Sequence, residues 1–253
     1  MSRPAPGEMI VVWFSCGAAS AVAAKRTIEK YGAMNEIRVV NNPVMEEHQD
    51  NRRFLRDVEA WIGTTIEIAT PSKYPLFSAR EVWERRSYMA GNDGAPCTVE
   101  LKKRARQEWQ NKNLPDWHVL GFTFDERHRH LNFIESEMSN VIPVLIDAAI
   151  TKQQCVDVLS QAGIEPPMMY RLGFPNANCI GCVKATSPTY WNHVRKHFPE
   201  DFADRAHQSR SLGVRLVRVN NERIFLDELS PTAKGRPMKQ MQIECGIFCE
   251  EKQ

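Results

Sequence analysis

The chain lacks the marks of a secreted, membrane-spanning or modular protein. Its first nine residues carry no basic segment leading into a long apolar one, so no signal peptide is expected. Its apolar runs, such as 9–14, are far too short to cross a bilayer. Internal repeats, low-complexity tracts and glycine- or proline-rich linkers are absent. Charge of one sign is absent too: 33 Lys and Arg face 31 Asp and Glu, a net +2, so composition does not argue for nucleic acid. The basic runs Lys102-Lys103-Arg104 and Arg127-His128-Arg129-His130 are local exceptions, of the kind solvated faces carry. Together these absences point to the cytoplasm and to no membrane partner.

What is present is cysteine, seven in all. In a reducing compartment thiols serve metal, cluster or redox chemistry rather than disulfides. Cys97 stands in A-P-C-T-V-E-L-K-K, Cys179 and Cys182 in N-C-I-G-C, and Cys245 and Cys249 in I-E-C-G-I-F-C. Cys16 reads as a small packing residue in a turn, and Cys155, among apolar neighbours, as core. A C-x-x-C aims two sulfurs at one point, so Cys179, Cys182, Cys245 and Cys249 make a chemically sensible four-thiolate site, with structural zinc as one occupant.

The 253 residues allow a sizeable core in one large or two small domains. Residues 9–14 form a continuous apolar strand ending in Ser15-Cys16-Gly17-Ala18-Ala19-Ser20 and a helix over 21–31. Strands are expected at 37–40, 65–69 and 118–122, and helices at 47–62 and around 102–110. Alternation of this kind predicts an α/β fold with a doubly wound, mostly parallel sheet. The expected division is a nucleotide-binding α/β domain over 1–150 and a helical and hairpin region over 151–253 that carries the cysteines. There a helix capped by Thr151 runs to 162, another covers 188–197, and 214–219 and 223–226 flank Asn220-Asn221 as a hairpin.

Small residues at a strand-to-helix turn let backbone N–H groups approach a ligand, and the helix start favours anions. Ser15 to Ser20 resembles the S-G-G-x-D-S pyrophosphate loop of the N-type ATP pyrophosphatases and phosphoadenosine phosphosulfate (PAPS) reductases, with Cys16 replacing a Gly and Ala19 the Asp. Ala95-Pro96-Cys97-Thr98-Val99-Glu100-Leu101-Lys102 is similar to the family's C-(C/T)-x-x-L-K element. Gly121 through Arg129 resembles its G-x-R-x-x-E-S-x-x-R segment. Pro143-Val144-Leu145-Ile146-Asp147, then Tyr170-Arg171-Leu172-Gly173-Phe174 and the C-x-x-C, complete the likeness.

The resemblance implies an adenine nucleotide alpha hydrolase-like fold that binds ATP, PAPS or adenylyl sulfate, in the ATP case with Mg. The nucleotide would sit at Ser15, Cys16, Gly17, Ala18, Ala19, Ser20 and Gly121, with Arg127, Arg129 and Lys102 binding phosphate or sulfate; Arg171 is a further cation of this type. It also implies a [4Fe-4S] cluster that includes Cys97 beside Cys179, Cys182 and Cys249 or Cys245. Glu244-Cys245-Gly246-Ile247-Phe248 is similar to the E-C-G-(L/I)-H tail of sulfonucleotide reductases, whose cysteine attacks the bound sulfur; Phe248 stands where the family has His. Cys245 is therefore either nucleophile or ligand.

Three functions follow. The first is thiol-dependent reduction of a sulfonucleotide to sulfite, with a thioredoxin-like partner. The second is ATP-dependent adenylation and sulfur insertion into a nucleobase of DNA or tRNA, with a sulfur-donor protein; Thr98, where adenylyl sulfate reductases have a second Cys, favours it. The third is a non-catalytic nucleotide-binding protein on a decayed loop, favoured by Ala19. A homo-oligomer is compatible with each. Glu46, Glu47, His48 and Asp50 lack a clean helical ligand spacing and are set aside as a metal site.

Overall fold

The structure, a computed structural model, describes residues 3–91 and 94–238. Along the chain lie β1 (Met9–Phe14), α1 (Ala18–Tyr31), β2 (Glu36–Asn41), α2 (Asp50–Ile62), β3 (Ile66–Ile68) and α3 (Ala79–Arg86). A π-helix (Thr98–Lys103) runs straight into α4 (Arg104–Asn113). Then come β4 (Trp117–Val119), α5 (Arg127–Ser136), β5 (Val141–Ile142), α6 (Val144–Asp147), α7 (Lys152–Gln161) and α8 (Met168–Arg171). The last are α9 (Pro188–His197), α10 (Pro199–Ser211), β6 (Val217–Val219) and β7 (Glu222–Ile224).

Packing divides the chain otherwise than by one cut at residue 150. One compact unit takes residues 1–43, 49–70 and 105–167; the other takes 44–48, 71–104 and 168–253. The chain thus enters the second unit twice before it reaches α8.

The first unit is built on a five-stranded, all-parallel sheet in the order β3-β2-β1-β4-β5, the α/β architecture expected. Strand β1 is central, and Ile10, Val11, Val12 and Phe14 are fully enclosed. A strand buried on both faces has to be continuously apolar, which is what this segment is. The sheet order reverses between β1 and β4, and the carboxyl ends of strands at such a reversal are where open α/β sheets take ligands. The α7 helix starts as expected: the Thr151 hydroxyl accepts from the Gln154 N–H, and Gly163 beyond its end has φ +71°. Residues 127–136, which begin with the basic run Arg127-His128-Arg129-His130, form α5. Only His130 and Phe133 of α5 are buried, so the apolar stripe is too thin to show in the sequence.

The second unit has an aromatic core, with Tyr74, Trp83, Tyr190 and Trp191 enclosed together with Leu101 and Met169. Its only sheet among the described residues is the antiparallel β6–β7 hairpin. Asn220 and Asn221 turn it with φ of +48° and +68°, the two left-handed residues that a tight hairpin turn demands. No helix among the described residues is long and apolar enough to cross a membrane.

Candidate functional site

In the first unit the chain leaves β1 and turns at Cys16, whose φ of +55° lies in the left-handed region. That backbone favours glycine over a residue with a side chain. Here a thiol fills the position because it is held: Asn41 Nδ2 approaches Cys16 Sγ at 3.6 Å while also donating to the Phe14 carbonyl at 2.8 Å. Cys16 Sγ in turn lies 3.8 Å from the Asn51 carbonyl. Gly17 then caps α1, whose first turn contains no acidic residue.

Ser20 ties the turn. Its hydroxyl accepts from the Ser15 N–H at 3.1 Å, the Ser15 hydroxyl at 3.2 Å and the Gly17 N–H at 3.4 Å, and it donates to the Gly17 carbonyl at 2.9 Å. The start of α1, with its unpaired amides and favourable field for anions, thus stands at the carboxyl end of β1. Gly121, just past β4, closes on the same turn. A Cβ at Gly121 would lie 2.8 Å from Ser20 N and 3.1 Å from Ala19 C, so only glycine fits. Gly121, Ala19 and Ser20 are brought together at the sheet's reversal point.

Arg127 and Arg129 open α5. Arg127 donates to the Phe124 carbonyl at 3.2 Å and lies over the Phe124 ring. Arg129 pairs with the Glu126 carboxylate and lies over Phe122. Lys152 starts α7, an exposed residue whose backbone N–H donates to Asp125 Oδ2 at 3.0 Å. Cys155 is fully enclosed, and burial pushes its thiol up to about 12. It is an inert core residue.

In the second unit three thiols share one apolar cluster, Cys179 and Cys182 buried and Cys97 partly so. Gly181, with φ +63°, turns the C-x-x-C, and a Cβ there would press on Trp191 at 3.2 Å. The Cys182 N–H donates to the Tyr190 hydroxyl at 2.9 Å. The loop is also pinned by backbone: Cys179 bridges to Glu47, and the Ile180 N–H donates to the Glu46 carbonyl at 2.9 Å. Cys97 immediately precedes the π-helix, a rare geometry that often marks functional sites.

The sequence did not reveal Arg205. It is buried, stacks over Trp83 at 4.2 Å and donates to Gln208 Oε1 at 2.6 Å, while its Nε has no hydrogen-bond partner. That Nε lies 3.8 Å from where a Gly181 Cβ would stand. Burial lowers the guanidinium pKa, opposed by the negative ends of Glu46, Cys179 and Cys97. Arg205 is therefore a buried cation beside the C-x-x-C turn, and its guanidinium charge is favoured by Glu46, Cys179 and Cys97. Two set-aside carboxylates have structural duties: Glu46 caps α3 through Ser78, Ala79 and Arg80, and the largely enclosed Glu47 pairs with the buried Lys102 at 2.7 Å. Lys102 is thus an internal partner of Glu47.

Thiols suit an iron–sulfur cluster or zinc. Yet among the described residues no three His, Cys, Asp or Glu side chains form a metal-holding group, so Cys97, Cys179 and Cys182 alone do not fit either. Cys245 and Cys249, expected to supply the nucleophile and the remaining ligand, lie outside the described residues. No chemical step below passes through a metal.

No protein-family model matches the chain, and no curated protein does. Among solved structures it is similar to a phosphoadenylyl-sulfate reductase from Candida auris in a phosphate complex. Identity there is 12%, with 67% of this chain and 80% of that one covered and a TM-score of 0.47. It is also similar to the U34-tRNA thiolase NcsA from Methanococcus maripaludis with its [4Fe-4S] cluster. That match has 11% identity, 97% and 84% coverage and a TM-score of 0.48.

Proposed function

We propose that the chain is an enzyme of the PAPS-reductase and N-type ATP pyrophosphatase kind, binding an adenine nucleotide at residues 15–20 and doing sulfur chemistry with its cysteines. The observation that carries the reading is the turn between β1 and α1. It places the start of α1 and the exposed Ser15 hydroxyl at the sheet's reversal point, shaped by the buried Ser20 hydroxyl, with Gly121 packed on Ser20 too tightly for any side chain.

In concrete form the reaction is reduction of a sulfonucleotide. The Cys245 thiolate attacks the sulfur of PAPS or adenylyl sulfate, an S–S bond forms, and the S–O bond breaks as the nucleotide leaves with its electron pair. A thioredoxin-like dithiol then attacks the Cys245 sulfur and expels sulfite, which carries the electrons. Its second thiol closes a disulfide and returns Cys245 as a thiol. The dithiol is oxidised and the sulfonucleotide sulfur reduced by two electrons. A cytoplasmic, reducing compartment suits these steps.

The test is sulfite release from PAPS and from adenylyl sulfate in the presence of reduced thioredoxin. Cys245→Ser should abolish release while nucleotide binding persists. Loss of neither property in Cys245→Ser would sink the reductase reading.

One observation favours the second reading, ATP-dependent adenylation of a nucleic-acid acceptor. The residue that follows Cys97 is a buried threonine, not a second thiol. AMP and pyrophosphate produced from ATP only when nucleic acid is added would establish it.

A further inference from the structure

One carboxylate in the second unit is surrounded by more positive charge than it can neutralise. Glu100, in the π-helix, is 0% exposed. Arg86 at the end of α3 donates to its Oε1, Lys73 Nζ stands 3.8 Å from the same oxygen, and Arg104 Nε stands 3.0 Å from Oε2. The three cations come from three separate stretches of chain, and their side chains stay 50%, 47% and 42% exposed.

Other carboxylates of this unit meet one cation each: Glu81 pairs with Arg85, Glu84 and Asp204 with Arg80, and Asp227 and Glu228 with Arg210. At Glu100 a single negative charge holds three positive ones, leaving a surplus of two at the surface.

The geometry points to this triad, Lys73, Arg86 and Arg104, as a docking point for the phosphodiester backbone of a nucleic acid. Burial fixes the carboxylate, so the cations are held in place before any ligand arrives and lose little side-chain freedom on binding. Half-exposed guanidinium groups offer forked N–H donors outward, the geometry that phosphate oxygens accept. The aromatic ring beneath the patch does not reach solvent: Tyr74 is fully enclosed, with Lys73 and Arg85 over its ring at 5.4 and 5.2 Å. Tyr74 thus gives bases nothing to stack on, and the contact is with the backbone and indifferent to sequence. No residue of 15–20 takes part, so this inference stands or falls apart from the nucleotide reading.

The experiment is fluorescence anisotropy of the full chain with a labelled single-stranded RNA of mixed sequence and a poly-U of equal length, across a salt series. Nucleotide binding is measured on the same samples. Both RNAs should bind alike, with log affinity falling linearly in log salt. Lys73→Gln, the least intrusive change, should lower the magnitude of that slope by about 0.7. Arg86→Gln with Arg104→Gln should lower it by about 1.4 and weaken binding roughly tenfold at low salt. Lys30→Gln, in α1 of the first unit, should change neither.

Where the double Gln variant fails to fold, Lys73→Gln and the charge-keeping pair Arg86→Lys with Arg104→Lys decide: the first must lose slope and the second must keep it. Wild-type slope and affinity in Lys73→Gln would overturn the proposal. So would displacement of RNA by inorganic phosphate at equal phosphate concentration, which would assign a small-anion site instead.

Discussion

Around residues 15–20 the groups on offer are backbone amides and two serine hydroxyls, held by the ends of β1 and β4; around the C-x-x-C they are thiols, a guanidinium and a buried ion pair. The first arrangement comes from short stretches ordered by a sheet. The second is gathered from 44–48, 71–104 and 168–253, and its geometry depends on long-range packing of side chains. A site made of backbone should tolerate most side-chain changes and fail only where space or φ is violated. A site made of side chains should fail when any buried charge loses its partner.

The harshest test of that contrast is Lys102→Met. It takes from the largely enclosed Glu47 carboxylate, beside the cysteine loop, the ammonium 2.7 Å away. Breaking one side of a buried pair costs about 3–5 kcal/mol, whereas replacing both partners by apolar groups is often neutral. Urea unfolding of Lys102→Met should show that loss, and Lys102→Met with Glu47→Leu should recover most of it. A single variant within about 1 kcal/mol of wild type would remove the ion pair from the site's framework.

Next in size is a pH effect in the sheet unit. His118, buried in β4, accepts from Trp13 Nε1 at 3.1 Å, and burial, with Arg106 adding to it, holds its pKa down to about 4. The unfolded chain binds this proton near pH ~6.5, so it takes up protons before the folded one does. Stability from this residue is complete above pH ~6.5 and falls as the pH drops towards 4, by up to about 3 kcal/mol. Denaturant midpoints measured through that window should decline, and His118→Gln should flatten the decline. A wild-type protein with no slope between those values would show that His118 is accessible to protons in the folded state.

The same contrast decides what the sequence could reveal. Strand β1, the turn and α1 were legible because six apolar residues followed by small ones can satisfy few other structures. The cap at Thr151 and the turn at Asn220-Asn221 were legible because each depends on a local hydrogen bond or φ. In the cysteine unit the thiols were visible as residue types, but their surroundings were not. Arg205 lies in an ordinary amphipathic helix, and nothing at its own position marks it as the cation enclosed between Trp83 and the C-x-x-C turn at Gly181. Glu47 sits in a stretch whose spacing argued against a site, because its partner Lys102 is 55 residues away. Interleaving also hid the division between the units, since the sequence suggested a single cut at 150 while packing changes at 44, 49, 71, 105 and 168.

Gly121→Ala probes the backbone-built site by space alone. Its new methyl would stand 2.8 Å from Ser20 N, against main chain that cannot swing aside. Overpacking of this kind costs about 1–3 kcal/mol, and the displaced turn should bind adenine nucleotide at least several-fold more weakly. Thermal melts and nucleotide titration measure the two effects. Wild-type values in both would mean that β4 and α1 are not in tight contact, and the case for a site at the sheet's reversal point would go with it.

The gentlest test is Cys16→Gly, and its direction separates the two kinds of site. Glycine takes the left-handed φ of +55° without strain, a gain set against the sulfur's contacts with Asn41 and Asn51 and against greater freedom in the unfolded chain. The opposing contributions should leave stability within about 1 kcal/mol of wild type. Nucleotide binding should persist, because the amides and the Ser15 and Ser20 hydroxyls do not involve the thiol. A large loss of binding with stability intact would instead make Cys16 Sγ a contact of the ligand. The loop would then depend on its side chain, as the cysteine unit does.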